Sequence, residues 1–298
     1  MENLQILPLV SVYITTKNRP VFLERALKSV VNQIYKNIEI LICNDGSDDC
    51  YDKDYNAIIN KYTALFSDIN IKYYKNIKSL GACESRNLLI KNARGVFITG
   101  LDDDDYFFPE RIKIFVENYD DKYAFLCANG SLDNSYCLNK KTIDGGKVIT
   151  FEEVKNYNLI GNQIFIRRER LIDIGGFDRN MPAWQDYDTW FRLLKKYYCC
   201  YKLNARTMYI DTDLSRYRIS TTSKAYLGYQ AFIRKHSSDL NANNLLSLKY
   251  SDLVNRKERF SIVKYELLRK PFLFIRVVKE RAVYYYPNAY IIYRKIFK

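Results

Sequence analysis

LVSVYITTKNRPVFLERALKSVVNQIYKNIEILIC, residues 9–43, carries the pattern that decides the fold. Val10–Thr15 is a short, branched, apolar run that reads as a buried strand. Pro20–Gln33 is a longer amphipathic stretch that reads as a helix, and Ile38–Cys43 is apolar again and reads as a second strand. The same alternation continues through a helix at Asp52–Phe66, a strand at Ile69–Tyr74, a helix at Leu80–Ala93 and a strand at Val96–Thr99. Strand and helix in strict alternation predict parallel β-α-β units, and hence an open α/β sheet that binds its ligand at the carboxyl ends of its strands. Polar residues gather at those ends: Thr15-Thr16-Lys17-Asn18-Arg19 after the first strand, Asn44-Asp45-Gly46-Ser47-Asp48-Asp49 after the second, and Asp102–Asp105 after the fourth.

Beyond Pro109 the alternation loosens. Arg111–Tyr119 reads as a helix, Tyr123–Ala128 as a strand, and 129–146 as a polar hairpin with turn signals. A short apolar run at Asn162–Ile166 precedes a helix ending at Gly175-Gly176. Trp184–Tyr198 reads as a helix with acidic residues in its first turn and Lys195-Lys196 at its end, as the helix dipole favours. From Lys224 onward only helical patterns recur, which places a boundary between a domain at 1–223 and a helical extension at 224–298.

Composition narrows the functional classes. With 48% hydrophobic and 27% charged residues, the 298-residue chain has the composition of a folded globular protein rather than a disordered or fibrous one. Seven scattered cysteines without a C-x-x-C pair support neither a zinc site nor a disulfide framework, and point to a reducing cytoplasm. MENLQILPLV lacks the basic start of a secretion signal, and no apolar run is long enough to span a bilayer. The net charge of +13 is uneven: residues 251–298 hold twelve Lys and Arg against four acids, which is +8 in the tail and +5 before it. Mixed there with aromatic and branched residues, as in Phe272–Lys279 and Tyr284–Lys295, that charge suits either an interfacial helix on an anionic inner membrane face or a helical cap with a solvated basic face. A nucleic-acid-binding protein is the rival suggested by the charge, but the candidate site is acidic, so no specific nucleic acid is expected.

Three local patterns carry chemistry. Asp102-Asp103-Asp104-Asp105 puts four carboxylates side by side after a strand, so it is either an acidic turn capping the helix near Pro109 or a site neutralised by a divalent cation. Asn44-Asp45-Gly46-Ser47 is a common turn whose amide and carboxylate could also pair with the edge of a nucleobase. Arg86 follows Leu80-Gly81-Ala82-Cys83-Glu84-Ser85 on a helix that allows close approach, and is either an ordinary exposed arginine or a phosphate ligand.

Taken in order, SVYITTKNRP (11–20), EILICNDGSDD (39–49), SLGACESRN (79–87), GLDDDDYFFP (100–109), GNQIFIRRERLIDIGGFD (161–178) and WQDYDTWFRL (184–193) resemble the family-2 glycosyltransferases of the GT-A fold. The resemblance covers about the first 220 residues. It implies a mostly parallel nucleotide-binding sheet flanked by helices, and an inverting transferase of the kind that builds bacterial surface polysaccharides. Thr15 and Arg19 then line the nucleotide, Asn44 and Asp45 contact uracil, and Arg86 lies near the base and diphosphate. Asp102 is the ribose-side carboxylate, Asp103 fills a variable position in the donor site that tolerates substitution, Asp104 and Asp105 hold Mn²⁺ or Mg²⁺, and Asp186 is the catalytic base. The implied partners are a UDP-sugar donor and a glycan acceptor on a lipid carrier.

The chain departs from the family pattern at Gln185, where a glutamate is usual, and at Ser220, where many members place a histidine. Its one histidine, His236, reads as a surface residue of the tail. The lack of Q-x-x-R-W after Asp186 favours transfer of one sugar over polymer synthesis. A sugar nucleotidyltransferase, which also uses a parallel sheet and acidic metal ligands, is the enzymatic rival.

Overall fold

The structure, a computed structural model, describes residues 7–131, 145–211 and 223–258, together with 271, 273–275, 277 and 278. The chain divides into two compact units: Met1–Val154 with Asn158–Asn180 and Gln185–Leu214, and Lys155–Tyr157 with Met181–Trp184 and Ser215–Lys298.

The first unit is built on β1 (Val10–Thr16), β2 (Ile38–Asn44), β3 (Asn70–Lys75) and β4 (Phe97–Asp102). Every residue of β2 is buried, as are six of the seven in β1, which is what strands covered on both faces require. All pairings among the four are parallel, in the order β3-β2-β1-β4. The chain winds outward from β1 to β3 and then returns to β1's other side, so the order reverses between β1 and β4. A crevice opens at such a reversal, at the strands' carboxyl ends. Thr15 pairs with Asp102 there, and Thr16 with Asn44.

Helices α1 (Pro20–Val31), α2 (Asp52–Leu65) and α3 (Ala82–Asn92) supply the connections. In α1, Pro20 occupies the first turn, where its missing N–H costs nothing. Leu23, Ala26, Leu27, Val30 and Val31 then bury one face at helical spacing. At the opposite end of the sheet, buried Glu39 accepts from Ser11 Oγ at 2.6 Å and from the N–H of Gly95 at 3.2 Å, tying the turn before β4 to β1 and β2.

After β4 the sheet becomes mixed. It continues through β8 (Phe165–Arg167), β6 (Leu126–Ser131), β9 (Cys199–Tyr209) and β5 (Tyr106–Phe107), with β7 (Lys147–Thr150) on β9. α4 (Arg111–Glu117), α5 (Phe151–Val154), α6 (Arg168–Asp173) and α7 (Gln185–Tyr197) complete the unit. The alternation in sequence did not predict β5, β7 or β9. β9 is interrupted by polar residues and bulges where β6 shifts register against it, so its apolar period is broken. The strand predicted at Tyr123–Ala128 lies later, at β6, and most of the predicted hairpin at 129–146 falls outside the described residues.

In the second unit, α8 (Ser223–Lys235) and α9 (Ala242–Asn255) are helical as predicted. α9 opens with a reciprocal cap between Asn241 and Asn244. His236 corrects its reading as a surface residue: it is 4% exposed, with its ring centroid 4.7 Å from that of Phe232. Most of the basic tail lies outside the described residues. Among the described residues, no helix is long and apolar enough to cross a membrane.

Candidate active site

Three loops and one helix N-terminus meet at the crevice. On the β2 loop, Asp45 is almost fully buried and accepts from Ser79 Oγ at 2.7 Å, from the N–H groups of Leu80 and Gly81 at 2.9 and 3.0 Å, and from Asn76 and Ser85 at 2.9 Å each. Burial works to raise its pKa, but the donors from Ser79, Leu80, Asn76 and Ser85 outweigh it and hold the carboxyl below its ordinary range. Asn44 is likewise occupied, donating to Tyr73 Oη and accepting from the Ser47 N–H, both at 2.9 Å. These two side chains, expected to contact uracil, are here committed to shaping the loop. Gly46 makes that loop possible. Its φ is +63°, and a Cβ would stand 2.4 Å from the Ser79 nitrogen, so the β2 loop and the segment before α3 touch backbone to backbone.

Arg86, on α3, is the central cation. Its Nη2 donates to Asp102 Oδ1 and its Nη1 to Asp186 Oδ1, both at 3.0 Å, while the guanidinium lies 5.0 Å from the Phe177 ring centroid. Burial opposes its charge, but Asp186 and Asp102 more than compensate and raise its pKa above the usual arginine value. Burial also pushes Asp186 up to about 6, with Arg86 pulling it down and Asp102 pushing it further up. Oδ2 of Asp186 has no hydrogen-bond partner among the described residues.

The neighbouring acid of the same motif behaves differently. Asp188 is fully buried and pairs with Arg192 Nε at 2.9 Å, and Arg192 also donates to the carbonyls of Ile174 and Gly176. Asp188 therefore secures the turn after α6, and Asp186 is the carboxylate of α7 that faces the crevice. Gln185 Oε1 stands 3.5 Å from Arg86 Nη1.

The four aspartates separate into two exposed and two inward groups. Asp102 and Asp104 keep 27% and 28% of their side chains exposed. Asp103 is buried, bonded to Thr16 Oγ1 at 2.7 Å and paired with Arg19 Nη2 at 2.6 Å. Burial dominates and raises its pKa to about 7, against the pull of Arg19 and Thr16. Asp103, expected to fill a variable position, is thus held by two partners. Its carboxylate joins the first loop to the fourth, whereas Thr15, one residue along, lies on the opposite face of β1 from Thr16.

Asp105 is buried too, accepting from the Asp211 N–H and from Asn162 Nδ2, both at 2.9 Å. Burial and then Asp102 push its pKa to about 8. It braces the run from behind, while Asp104 is the open carboxylate, reached by Arg19 Nη1 at 3.3 Å. Arg25 secures the backbone of the run, donating to the Asp104 carbonyl and pairing with Asp211 at 3.2 Å.

Thr16, Arg25, Asn162 and Asp211 were not singled out in the sequence. Asn162 lies inside a quoted motif, and Arg25 sits at helical spacing on α1. Nothing local marks Asp211, because it depends on the unexpected β9. Ser220 and its neighbours lie outside the described residues. Among the described residues, no three His, Cys, Asp or Glu side chains are arranged to hold a metal by themselves.

A switch-point crevice with an aspartate run at the end of β4 and a carboxylate at the start of α7 is the candidate site of this GT-A fold. The chain belongs to glycosyl transferase family 2, whose model matches residues 11–171, and it is a glycosyltransferase. It is 31% identical over 239 residues to the putative colanic acid biosynthesis glycosyl transferase WcaA of Escherichia coli K12, covering 77% of this chain and 81% of that protein. The GalNAc(5)-diNAcBac-PP-undecaprenol beta-1,3-glucosyltransferase of Campylobacter jejuni is 25% identical over 227 residues, 74% of this chain and 68% of that one. Among solved structures, Staphylococcus aureus TarS 1–349 in complex with UDP-GlcNAc superposes with a TM-score of 0.61 at 17% identity, over 90% of this chain and 79% of that chain.

Replacing Asp103 with alanine would leave the Thr16 hydroxyl without its buried acceptor and the half-exposed Arg19 with Asp104 alone, a loss of about 1 kcal/mol. Urea unfolding followed by circular dichroism should show the midpoint falling clearly below that of an Asp104→Ala control. Equal midpoints would count against the bracing role.

Proposed function

We propose that the chain transfers one hexose or N-acetylhexosamine from a UDP-sugar to a hydroxyl of a lipid-linked glycan, with inversion, during synthesis of a bacterial surface polysaccharide such as an O-antigen, capsule or lipooligosaccharide. The observation that carries this reading is the bridge from Asp102 through Arg86 to Asp186, which leaves Asp186 Oδ2 open. A general base needs an unengaged lone pair and a pKa not far below the working pH. The names of the Escherichia coli and Campylobacter relatives support the polysaccharide and the lipid carrier, and the nucleotide sugar bound to TarS supports the donor.

In this reading, Thr15, Arg19 and Asp102 frame the nucleotide, with Asp103 holding Arg19 and Thr16 in place from behind, and Asn44 and Asp45 fix the wall against which the base rests. Arg86 holds Asp186 in place near the diphosphate. The acceptor oxygen attacks the anomeric carbon from the face opposite the diphosphate, its proton passes to Asp186 Oδ2, and the bond from that carbon to the β-phosphate oxygen breaks to release UDP. One or two exposed carboxylates suit Mg²⁺ or Mn²⁺ when phosphate oxygens and water complete its coordination. Asp104 would hold such an ion, with Asp102 nearest to it in exposure and Asp105 supporting from behind. The bound ion would offset the charge on the departing diphosphate. We also take 224–298 as an extension that rests its basic, aromatic tail on an anionic membrane surface at the cytoplasmic face.

Asp186→Asn should abolish transfer while UDP affinity, measured by calorimetry, stays near wild type; full transfer in that variant would remove Asp186 from the role. Because the base works unprotonated and its pKa stands near 6, turnover should fall as pH drops through about 6 and level off above it. Asp104→Ala should weaken UDP binding in the presence of Mn²⁺ by about ten-fold or more and leave metal-free binding unchanged. For the tail, the full chain should sediment with phosphatidylglycerol vesicles and not with phosphatidylcholine vesicles at low salt, and equal sedimentation with both would argue for a solvated cap.

A further inference from the structure

Beside α1 lies a cleft of about 510 Å³, lined by Arg25, Lys28 and Asn32 of the helix, Tyr106 and Tyr209 of the β5–β9 pair, and Pro109. Its size suits a ligand of one or two sugar rings. Arg25, Lys28 and Asn32 are three and seven residues apart, so they lie along one face of the helix. Tyr106 and Tyr209 face one another across the antiparallel pair, and their rings stack with centroids 4.8 Å apart and planes 16° from parallel. One wall is therefore cationic and amide-bearing, and another carries the stacked tyrosine pair, with Arg25 over the Tyr106 ring and Tyr209 at its outer side.

The charge balance is one-sided. None of the residues lining the cleft carries a carboxylate. Arg25 shares its charge with Asp211 and keeps a buried Nε without a partner, while the exposed Lys28 ammonium forms no ion pair among the described residues. A ligand that meets all of these features has a ring face of C–H groups to lie on tyrosine, hydroxyls for the amide, and a negative group for Lys28 and Arg25. A neutral sugar would leave the Lys28 ammonium without a counter-charge, and a bare anion would leave the tyrosine pair unused.

We propose that this cleft is a saccharide subsite for a pyranose bearing a carboxylate, part of the acceptor glycan at a distance from the reacting hydroxyl. The assignment rests on the transferase reading for its biological meaning, but its binding chemistry stands on the cleft alone. Arg25 belongs both to the cleft and to the bracing of Asp104, so an occupied subsite adjoins the backbone of the donor site.

The test titrates the full-length protein with a glucuronosyl-glucose disaccharide and, in parallel, with cellobiose, using ligand-observed NMR and calorimetry. The acidic disaccharide should bind at least about ten-fold more tightly than cellobiose, and Lys28→Glu should remove that preference. Tyr209→Leu, its fold checked by circular dichroism, should weaken the acidic disaccharide as well. UDP titrations of the same variants should match wild type. Equal affinity for the two disaccharides, an unchanged preference in Lys28→Glu, or displacement of the acidic disaccharide by equimolar inorganic phosphate would overturn the proposal. Loss of UDP binding in the wild-type protein with saccharide binding intact would instead strike the donor reading alone.

Discussion

A buried guanidinium shared by two carboxylates organises this molecule's chemistry. Arg86 reaches Asp102 at the end of β4 and Asp186 at the start of α7, residues separated by eighty-four positions of chain and joined through one side chain. Burying an unpaired cation is strongly unfavourable, and two half-buried carboxylates set near each other repel. The trio resolves both difficulties together, and each member's position is meaningful only because the other two are present. The sheet's reversal of order puts β4 beside β1, and Gly81 and the packed loop behind Asp45 aim α3 into the crevice. The bridge thus depends on topology first and on local sequence second.

The same logic separates residues that look alike. Asp186 and Asp188 are two apart at the start of one helix, yet one is satisfied by Arg192 and the other keeps an open oxygen. Among the four consecutive aspartates, the turn that follows β4, closed by the Asp105 N–H on the Asp102 carbonyl, sends Asp103 and Asp105 inward to Thr16, Arg19, Asn162 and Asp211, and leaves Asp102 and Asp104 partly open to solvent. Two inward carboxyls with raised pKa values lessen the repulsion that four full negative charges would impose on the run.

Much of this was legible in the residues. The parallel half of the sheet follows from apolar runs alternating with amphipathic ones, and the elements begin and end within a few residues of their predicted limits. The aspartate run, Arg86 and Asp186 stood out because they belong to motifs at fixed spacing. The antiparallel half was not legible: β9 hides its period behind bulges, and β5 is two residues long. Every residue that leans on those strands, Asp211 above all, was hidden with them. The side-chain commitments of Asn44 and Asp45 were also beyond reach, since a turn motif does not say which donors will close on it.

The mixed half of the sheet meets β4 through three register pairs only, Phe97 with Arg167, Ile98 with Ile166 and Thr99 with Phe165. Across that seam, among the described residues, the aspartate run is tethered by Asn162, whose Nδ2 reaches both Asp102 and Asp105, and by the backbone of Asp211. In evolutionary terms the seam is a joint: a lineage that keeps the amide, the strand end and the Asp186 carboxylate held by Arg86 is free to rebuild the segments around them. Change in the segments after β4 should therefore disturb the parallel half of the sheet little, so long as those few fixed points stay in place.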